Sequence, residues 1–267
     1  MPDITTEFTK ENIDLYFKEL SKEYKKLGGR NTPVEIVLIG GAAIIESYGF
    51  RNMTTDIDAI IPAMGIMKDA INHVGDKFGL PTGWLNADFM KTSSYSPKLS
   101  AISKPYKTFN QVLNVRYVTG EYLIAMKLKS GRQYKNDLSD IVGILAEHEK
   151  QGCPITKEAI SGAVNDLYGG WGEIEEKSVD FINAILDNQS YGEMYTAIRE
   201  SEQNTKSVLI AFQDKYPGVL DEANIDSVID KAGKKSESKA SVRETLEMLK
   251  KQQTMGELKN EKERDGR

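Results

Sequence analysis

Apolar and polar residues follow two different periods along residues 1–150. Apolar residues that recur every three or four positions predict amphipathic helices, and runs that alternate or are rich in β-branched residues predict strands. The helical stretches are residues 9–27 and 64–78, with a short helix over 42–48 and a helix over 121–131 that is apolar on two sides. The strand-like runs are residues 35–39, 56–61 and 109–118, with a short strand near 100–102.

Beyond Gly152 the pattern is that of helices alone. Turn-forming residues separate three amphipathic stretches, which are residues 157–168, 173–187 and 191–215. The sequence therefore predicts an α+β fold, with a small mixed β-sheet and flanking helices in residues 1–150. A helical domain is expected over 151–232, and the polar residues 233–267 are expected to form a tail that is weakly packed or disordered.

Candidate chemistry centres on the residues that end the first strand and begin the second. Gly40 and Gly41 lack Cβ atoms, so the backbone can turn there and a polyphosphate can approach the main-chain N–H groups of the next helix. Asp56 and Asp58 are two residues apart in a predicted strand, where such positions share a face. A glycine pair alone is typical of a turn, and Asp-x-Asp alone is typical of a solvated strand end. In this order they indicate a metal-dependent phosphate site, because Mg²⁺ prefers paired carboxylates together with substrate phosphates.

The order of strand, Gly40-Gly41, helix and Asp56-x-Asp58 resembles the signature of the nucleotidyltransferase superfamily. The spacing is slightly long, and Ala42 stands where several members carry a small hydroxyl residue. The resemblance implies a nucleotidyltransferase core with a DNA polymerase β-like fold. It further implies that Asp56 and Asp58 bind Mg²⁺ or Mn²⁺, and that Gly40 and Gly41 hold the β- and γ-phosphates of an NTP substrate.

A second motif follows the predicted strand over 109–118. Lys127 stands in Ala-Met-Lys-Leu, Arg132 follows a glycine, and Asp137 and Asp140 belong to Lys-x-Asp-Leu-x-Asp-Ile. Alone, the segment is typical of a solvated lysine and of acids at a helix start that Asn136 caps. With the first motif, it resembles the second block of the abortive-infection and toxin-type nucleotidyltransferases. That resemblance implies that Lys127 and Arg132 contact the triphosphate, and that Asp137 or Asp140 orients or deprotonates the acceptor.

Two classes of function remain open at this point. Many members of the superfamily carry a third metal-binding carboxylate on a strand like 109–118, whereas the inward position here is Asn114 or is empty. The first hypothesis is an enzyme that moves an NMP to tRNA or a protein, as a toxin or phage-defence component with a cognate antitoxin protein. The antibiotic-modifying branch of the superfamily would instead imply a small-molecule acceptor. The second hypothesis is a non-catalytic nucleotidyltransferase-like interaction module or antitoxin-like protein.

The composition of the chain argues against several classes of protein. The 267 residues carry a net charge of −5, which argues against a uniformly basic nucleic-acid binder. Cys153 is the single cysteine, and His73 and His148 are the two histidines, so neither a disulfide framework nor a zinc cluster can form within the chain. Apolar runs are too short for a membrane span, and the first residues lack the features of a signal peptide. We therefore expect a cytoplasmic protein without a membrane partner.

Overall fold

A computed structural model of the protein describes residues 7–62, 65–132, 134–188, 190–221, 224–225 and 228–229. The tail predicted for 233–267 lies outside them. The strands are β1 (Val34–Leu38), β2 (Ile57–Ile60), β3 (Leu85–Asn86), β4 (Lys104–Phe109) and β5 (Leu113–Tyr117). The helices are α1 (Lys10–Lys26), α2 (Gly40–Ser47), α3 (Gly65–Phe78), α4 (Leu99–Ile102), α5 (Gly120–Ser130), α6 (Asp137–Lys150), α7 (Lys157–Tyr168), α8 (Glu176–Asn188) and α9 (Tyr191–Lys215). The predicted α+β class is confirmed.

The five strands form one mixed sheet in the order β3-β2-β1-β5-β4. β1 pairs parallel with β5 and antiparallel with β2, while β4 and β5 form an antiparallel hairpin. The central position of β1 explains its almost wholly apolar sequence, since a central strand is covered on both faces. Its residues Ile36, Val37 and Leu38 are all buried. The predicted strand over 35–39 therefore corresponds to the centre of the sheet.

Two strand predictions need correction. The run 109–118 is not one strand: the chain turns at Asn110 and Gln111, both with positive φ, and only Leu113–Tyr117 forms β5. The partner strand β4 was not predicted because it lies at the sheet edge, where most of its side chains are exposed and the apolar pattern is lost. The short strand expected near 100–102 is instead helix α4.

The amphipathic helices follow the predicted pattern closely. The stripe Ile13, Phe17, Leu20 and Tyr24 of α1 is buried, and the Tyr24 hydroxyl donates to the main-chain oxygen of Thr32 at 2.8 Å. In the second half of the chain, α7, α8 and α9 occupy the three stretches predicted as helices. Among the helices that the structure describes, none is both long enough and apolar enough to cross a membrane.

The chain divides into two compact units. The first consists of residues 1–129 and 147–173, and the second of residues 130–146 and 174–267. The first unit therefore contains the sheet with α1 to α4, nearly all of α5, and α7, and the second contains most of α6 with α8 and α9. The domain boundaries predicted at 150/151 and 232/233 remain predictions.

Candidate active site

The first glycine of the pair adjoins one of the two aspartates. Gly40 begins α2 with φ +56°, and a Cβ atom at this residue would lie 3.6 Å from Oδ2 of Asp58. The main chain holds the two segments together, because the N–H of Ile39 donates to the carbonyl oxygen of Asp58 at 3.1 Å. The first N–H groups of a helix have no acceptor within the helix. The Asp58 carboxylate thus lies beside a set of N–H groups that can bind phosphate oxygens.

The second glycine is required by a close approach of the following loop. A Cβ atom at Gly41 would lie 2.6 Å from Oγ1 of Thr54 and 3.0 Å from Nη2 of Arg51. Thr54 is held in place by two main-chain hydrogen bonds with Phe8, of 2.8 and 2.9 Å. Arg51, which the sequence pattern did not single out, therefore brings a guanidinium group to the start of α2.

Substitution of Gly41 by alanine is expected to destabilise the protein. The new methyl group would displace Thr54 and Arg51, and overpacking of this kind costs roughly 1–3 kcal/mol. Gly49→Ala is the matched control, because a Cβ atom at Gly49 meets nothing within 4 Å. Chemical denaturation of both variants checks the prediction. Equal unfolding free energies for the two variants would contradict the close packing at Gly41.

Asp56 and Asp58 differ in their setting. Asp58 lies within β2 and is half-buried, whereas Asp56 is exposed and lies in the bend that precedes the strand. The expectation that both belong to one strand needs correction: β2 begins at Ile57, because the chain bends between the Thr54 bridge and the sheet. The Asp58 carboxylate beside the first N–H groups of α2 fits the chemistry that Mg²⁺ and a polyphosphate require. Joint binding of the cation by the two residues remains a prediction.

Strand β5 contributes no carboxylate next to Asp58. If the strand pairing is continued by one residue, Ile39 lies between Asp58 on one side and Val118 on the other. Val118 is a buried apolar residue. Asn114 lies four residues before Val118, roughly 13 Å along the strand, and accepts a 2.8 Å hydrogen bond from the Thr108 hydroxyl. The described residues contain no group of three or more His, Cys, Asp or Glu side chains suited to a metal. The candidate site is therefore one of two carboxylates.

The residues of the second motif are mostly buried. Lys127 of α5, in the first unit, is 8% exposed. Asp137 and Asp140 open α6 in the second unit and are 2% and 0% exposed. Nε of Arg132 donates to Oδ2 of Asp137 at 2.9 Å, so the structure brings these two predicted residues together as an ion pair. Buried charged groups are uncommon unless they are paired, which sets this segment apart from an ordinary solvated helix start.

A residue that the sequence analysis missed caps α6. Oε1 of Glu202 accepts hydrogen bonds from the N–H groups of Leu138 at 2.9 Å and Ser139 at 3.3 Å. The predicted cap, Asn136, contributes its main-chain oxygen to the N–H of Asp140. Burial raises the pKa of Glu202 to about 8, and the neighbouring charge of Asp140 acts in the same direction. The cap therefore comes from α9, which is distant in sequence.

The regular spacing of apolar residues in α9 could have identified Glu202 from the sequence. Met194, Ile198 and Leu209 are buried positions of this helix, and Glu202 follows Ile198 by four residues on the same stripe. A carboxylate at an inward position of an amphipathic helix is a departure from the pattern. It indicates a buried polar partner, although the sequence does not say which one.

One comparison with known proteins gives a match. Residues 16–146 match the model of a family described as a nucleotidyltransferase of unknown function. This segment, just under half of the chain, contains both motifs and ends inside α6. It supports the nucleotidyltransferase superfamily for this part of the protein. No curated protein and no solved structure matches the chain.

Proposed function

We propose that this protein is a Mg²⁺-dependent nucleotidyltransferase that moves an NMP from an NTP to an acceptor and releases pyrophosphate. The observation that carries the proposal is the contact between Asp58 and the start of α2, where a Cβ atom on Gly40 would lie 3.6 Å from the carboxylate. This contact lies within the segment that matches a nucleotidyltransferase family. A phosphate bound at the N–H groups of α2 would therefore lie beside a metal ligand.

The triphosphate would be held by main-chain and cationic groups. The N–H groups of Gly40 and Gly41 would bind its β- and γ-phosphates, with Arg51 adding a guanidinium group at the same helix start. Asp56 and Asp58 would hold Mg²⁺, which neutralises charge on the phosphates when it is bound. The fixed position of these groups matters more than their reactivity, because catalysis of phosphoryl transfer rests mainly on positioning and electrostatics.

The remaining residues of the second motif take the roles implied by resemblance. Lys127 and Arg132 would contact the triphosphate. Asp137 or Asp140 would orient the acceptor and take the proton of its hydroxyl group as the acceptor oxygen bonds to the α-phosphorus. The bond between the α-phosphorus and the bridging oxygen of pyrophosphate breaks in the same step. The ion pair between Arg132 and Asp137 is consistent with a fixed orientation of these side chains.

The acceptor that we propose is tRNA or a protein. Support comes from the second motif, Lys127 to Asp140, which resembles that of the toxin-type and abortive-infection enzymes. A toxin or phage-defence component of this kind would act in the cytoplasm and would be neutralised by a cognate antitoxin protein. The negative net charge of the chain, −5, is compatible with a protein partner that carries a basic surface.

A second candidate is a non-catalytic nucleotidyltransferase-like interaction or antitoxin-like module. The observation in its favour is that Val118, the residue after β5 and the neighbour of Ile39 on the side away from Asp58, is apolar and cannot add a third carboxylate to the pair. Binding separates the two candidates, because a non-catalytic module is not expected to bind a Mg²⁺–NTP complex.

NTP binding is expected to be Mg²⁺-dependent and to stabilise the protein. A ligand at a hundred times its dissociation constant adds roughly 2.7 kcal/mol to the unfolding free energy. Thermal unfolding should be measured with each of the four NTPs, with and without Mg²⁺. Label transfer from each α-labelled NTP to total cellular RNA and to total cellular protein should then be measured in parallel. Binding with transfer supports the enzyme, and the absence of both binding and transfer supports the non-catalytic module.

A further inference from the structure

Glu202 of α9 holds the first turn of α6 from a fully desolvated position. The residue is 1% exposed, and its Oε1 accepts from the N–H groups of Leu138 and Ser139. These two groups belong to the first turn of the helix, where donors lack acceptors within the helix itself. The turn that they fix also carries Asp137 and Asp140.

The cap uses only one of the two oxygens of the Glu202 carboxyl group. One acceptor oxygen satisfies both N–H groups, yet the second oxygen, Oε2 of Glu202, is buried and has no hydrogen-bond partner among the residues that the structure describes. A buried polar atom without a partner is costly, and most are satisfied in folded proteins. Asp140, also fully buried, acts electrostatically on the same carboxyl group. The carboxyl group is thus placed where the two acidic residues begin their helix, at a cost that a solvent-exposed cap would avoid.

We propose that Glu202 is a positioning residue of the nucleotidyl-transfer site, through which α9 fixes the orientation of Asp137 and Asp140. This inference rests on the proposed function, because it assumes that these two aspartates act on the acceptor. The matched family segment ends at residue 146, so Glu202 lies in the part of the chain that the family model does not cover. A positioning role for Glu202 would give the C-terminal helical region a part in turnover.

Three substitutions of Glu202 test separately the charge, the position and the presence of its acceptor oxygen. Glu202→Gln keeps the length and an acceptor oxygen, Glu202→Asp withdraws the acceptor by about 1.5 Å, and Glu202→Ala removes it. Glu200→Gln is the matched control, because Glu200 is exposed on the same helix. The assay measures kcat and KM for the NTP, using α-labelled NTP and the RNA or protein fraction that the wild type labels. Amide hydrogen exchange at Leu138 and Ser139 is measured in the same preparations.

We expect Glu202→Ala to lower kcat by roughly ten- to a hundredfold with little change in KM for the NTP. Glu202→Asp should lie in between, and Glu202→Gln and Glu200→Gln should retain the wild-type kcat. Exchange at the Leu138 and Ser139 amides should accelerate in the alanine and aspartate variants alone. If the alanine variant fails to fold, the aspartate and glutamine pair carries the test.

The outcomes distinguish this inference from the proposed function. If the wild type transfers label and the alanine or aspartate variant does so with unchanged kcat, Glu202 has no positioning role. Equal losses of kcat in the glutamine and aspartate variants would also overturn the inference, because glutamine retains the acceptor. If the wild type binds no Mg²⁺–NTP and transfers no label, the proposed function fails, and the inference that depends on it fails as well.

Discussion

We expect the replacement of Asp58 by asparagine to abolish the proposed nucleotidyl transfer while the fold remains intact. Asparagine keeps the size of the half-buried side chain beside Gly40 but removes the charge that would hold the divalent cation. A bound metal contributes several kcal/mol of charge stabilisation in such reactions, which corresponds to a loss of at least roughly a thousandfold. Label transfer from the preferred NTP measures the loss, and circular dichroism confirms that the variant is folded.

Comparison with two other aspartates sharpens this prediction. Asp56→Asn should also impair transfer, but less severely, because Asp56 is exposed in the bend before β2, whereas Asp58 is half-buried within the strand. Asp69→Asn is the control, since Asp69 is an exposed residue of α3 that belongs to neither motif. Transfer at the wild-type rate by the Asp58→Asn variant would exclude this residue as a metal ligand. Mg²⁺-dependent stabilisation by NTP should disappear together with transfer.

Between about pH 4.5 and pH 8 the wild-type protein will lose stability relative to Glu202→Gln. Burial raises the pKa of Glu202 from 4.5 to about 8 in the folded protein, with Asp140 adding to the rise and the hydrogen bonds from Ser139 and Leu138 opposing it. The folded state therefore holds a proton that the unfolded state releases above pH 4.5. The stabilising contribution is complete below that pH and is lost as the pH rises through the folded-state pKa.

The size of this effect is set by the pKa shift. Each pKa unit corresponds to about 1.4 kcal/mol, so a shift from 4.5 to about 8 sets an upper limit of roughly 5 kcal/mol. Unfolding free energies should be measured at intervals from pH 4 to pH 9 for the wild type, Glu202→Gln and Glu200→Gln. The difference between wild type and Glu202→Gln should change through the window and then level off. Parallel curves for all three proteins would contradict a buried, protonated Glu202.

The sequence was most informative where one residue pattern corresponds to one local structure. The apolar period, together with the turn-forming residues at the ends, located α1, α7 and α9 to within a residue or two, because a helix that buries one face must repeat at the spacing of its turns. The hairpin of β4 and β5 was misassigned for the opposite reason. An edge strand buries few side chains, so its sequence carries no apolar alternation.

The residues around the glycine pair also divide into those that the local sequence indicated and those that it did not. Gly40, Gly41, Asp56 and Asp58 were chosen as candidates from their order along the chain, since strand, turn and helix of this length constrain one another locally. Arg51 was missed, although Nη2 of its side chain lies 3.0 Å from where a Cβ of Gly41 would be. Its position depends on the bridge between Thr54 and Phe8, a contact between distant parts of the chain. No local pattern reports such a contact.

The sequence by itself thus determined the α+β class, the three helices α7, α8 and α9, and the two motifs, because each depends on residues close together in the chain. Only the tertiary structure decided which partners the buried charges have. It placed Val118 next to Ile39 on the side away from Asp58 and gave the first turn of α6 a cap from Glu202, 64 residues from Leu138. Strand register and long-range hydrogen bonds depend on how separate segments pack, and that information is not contained in any single segment.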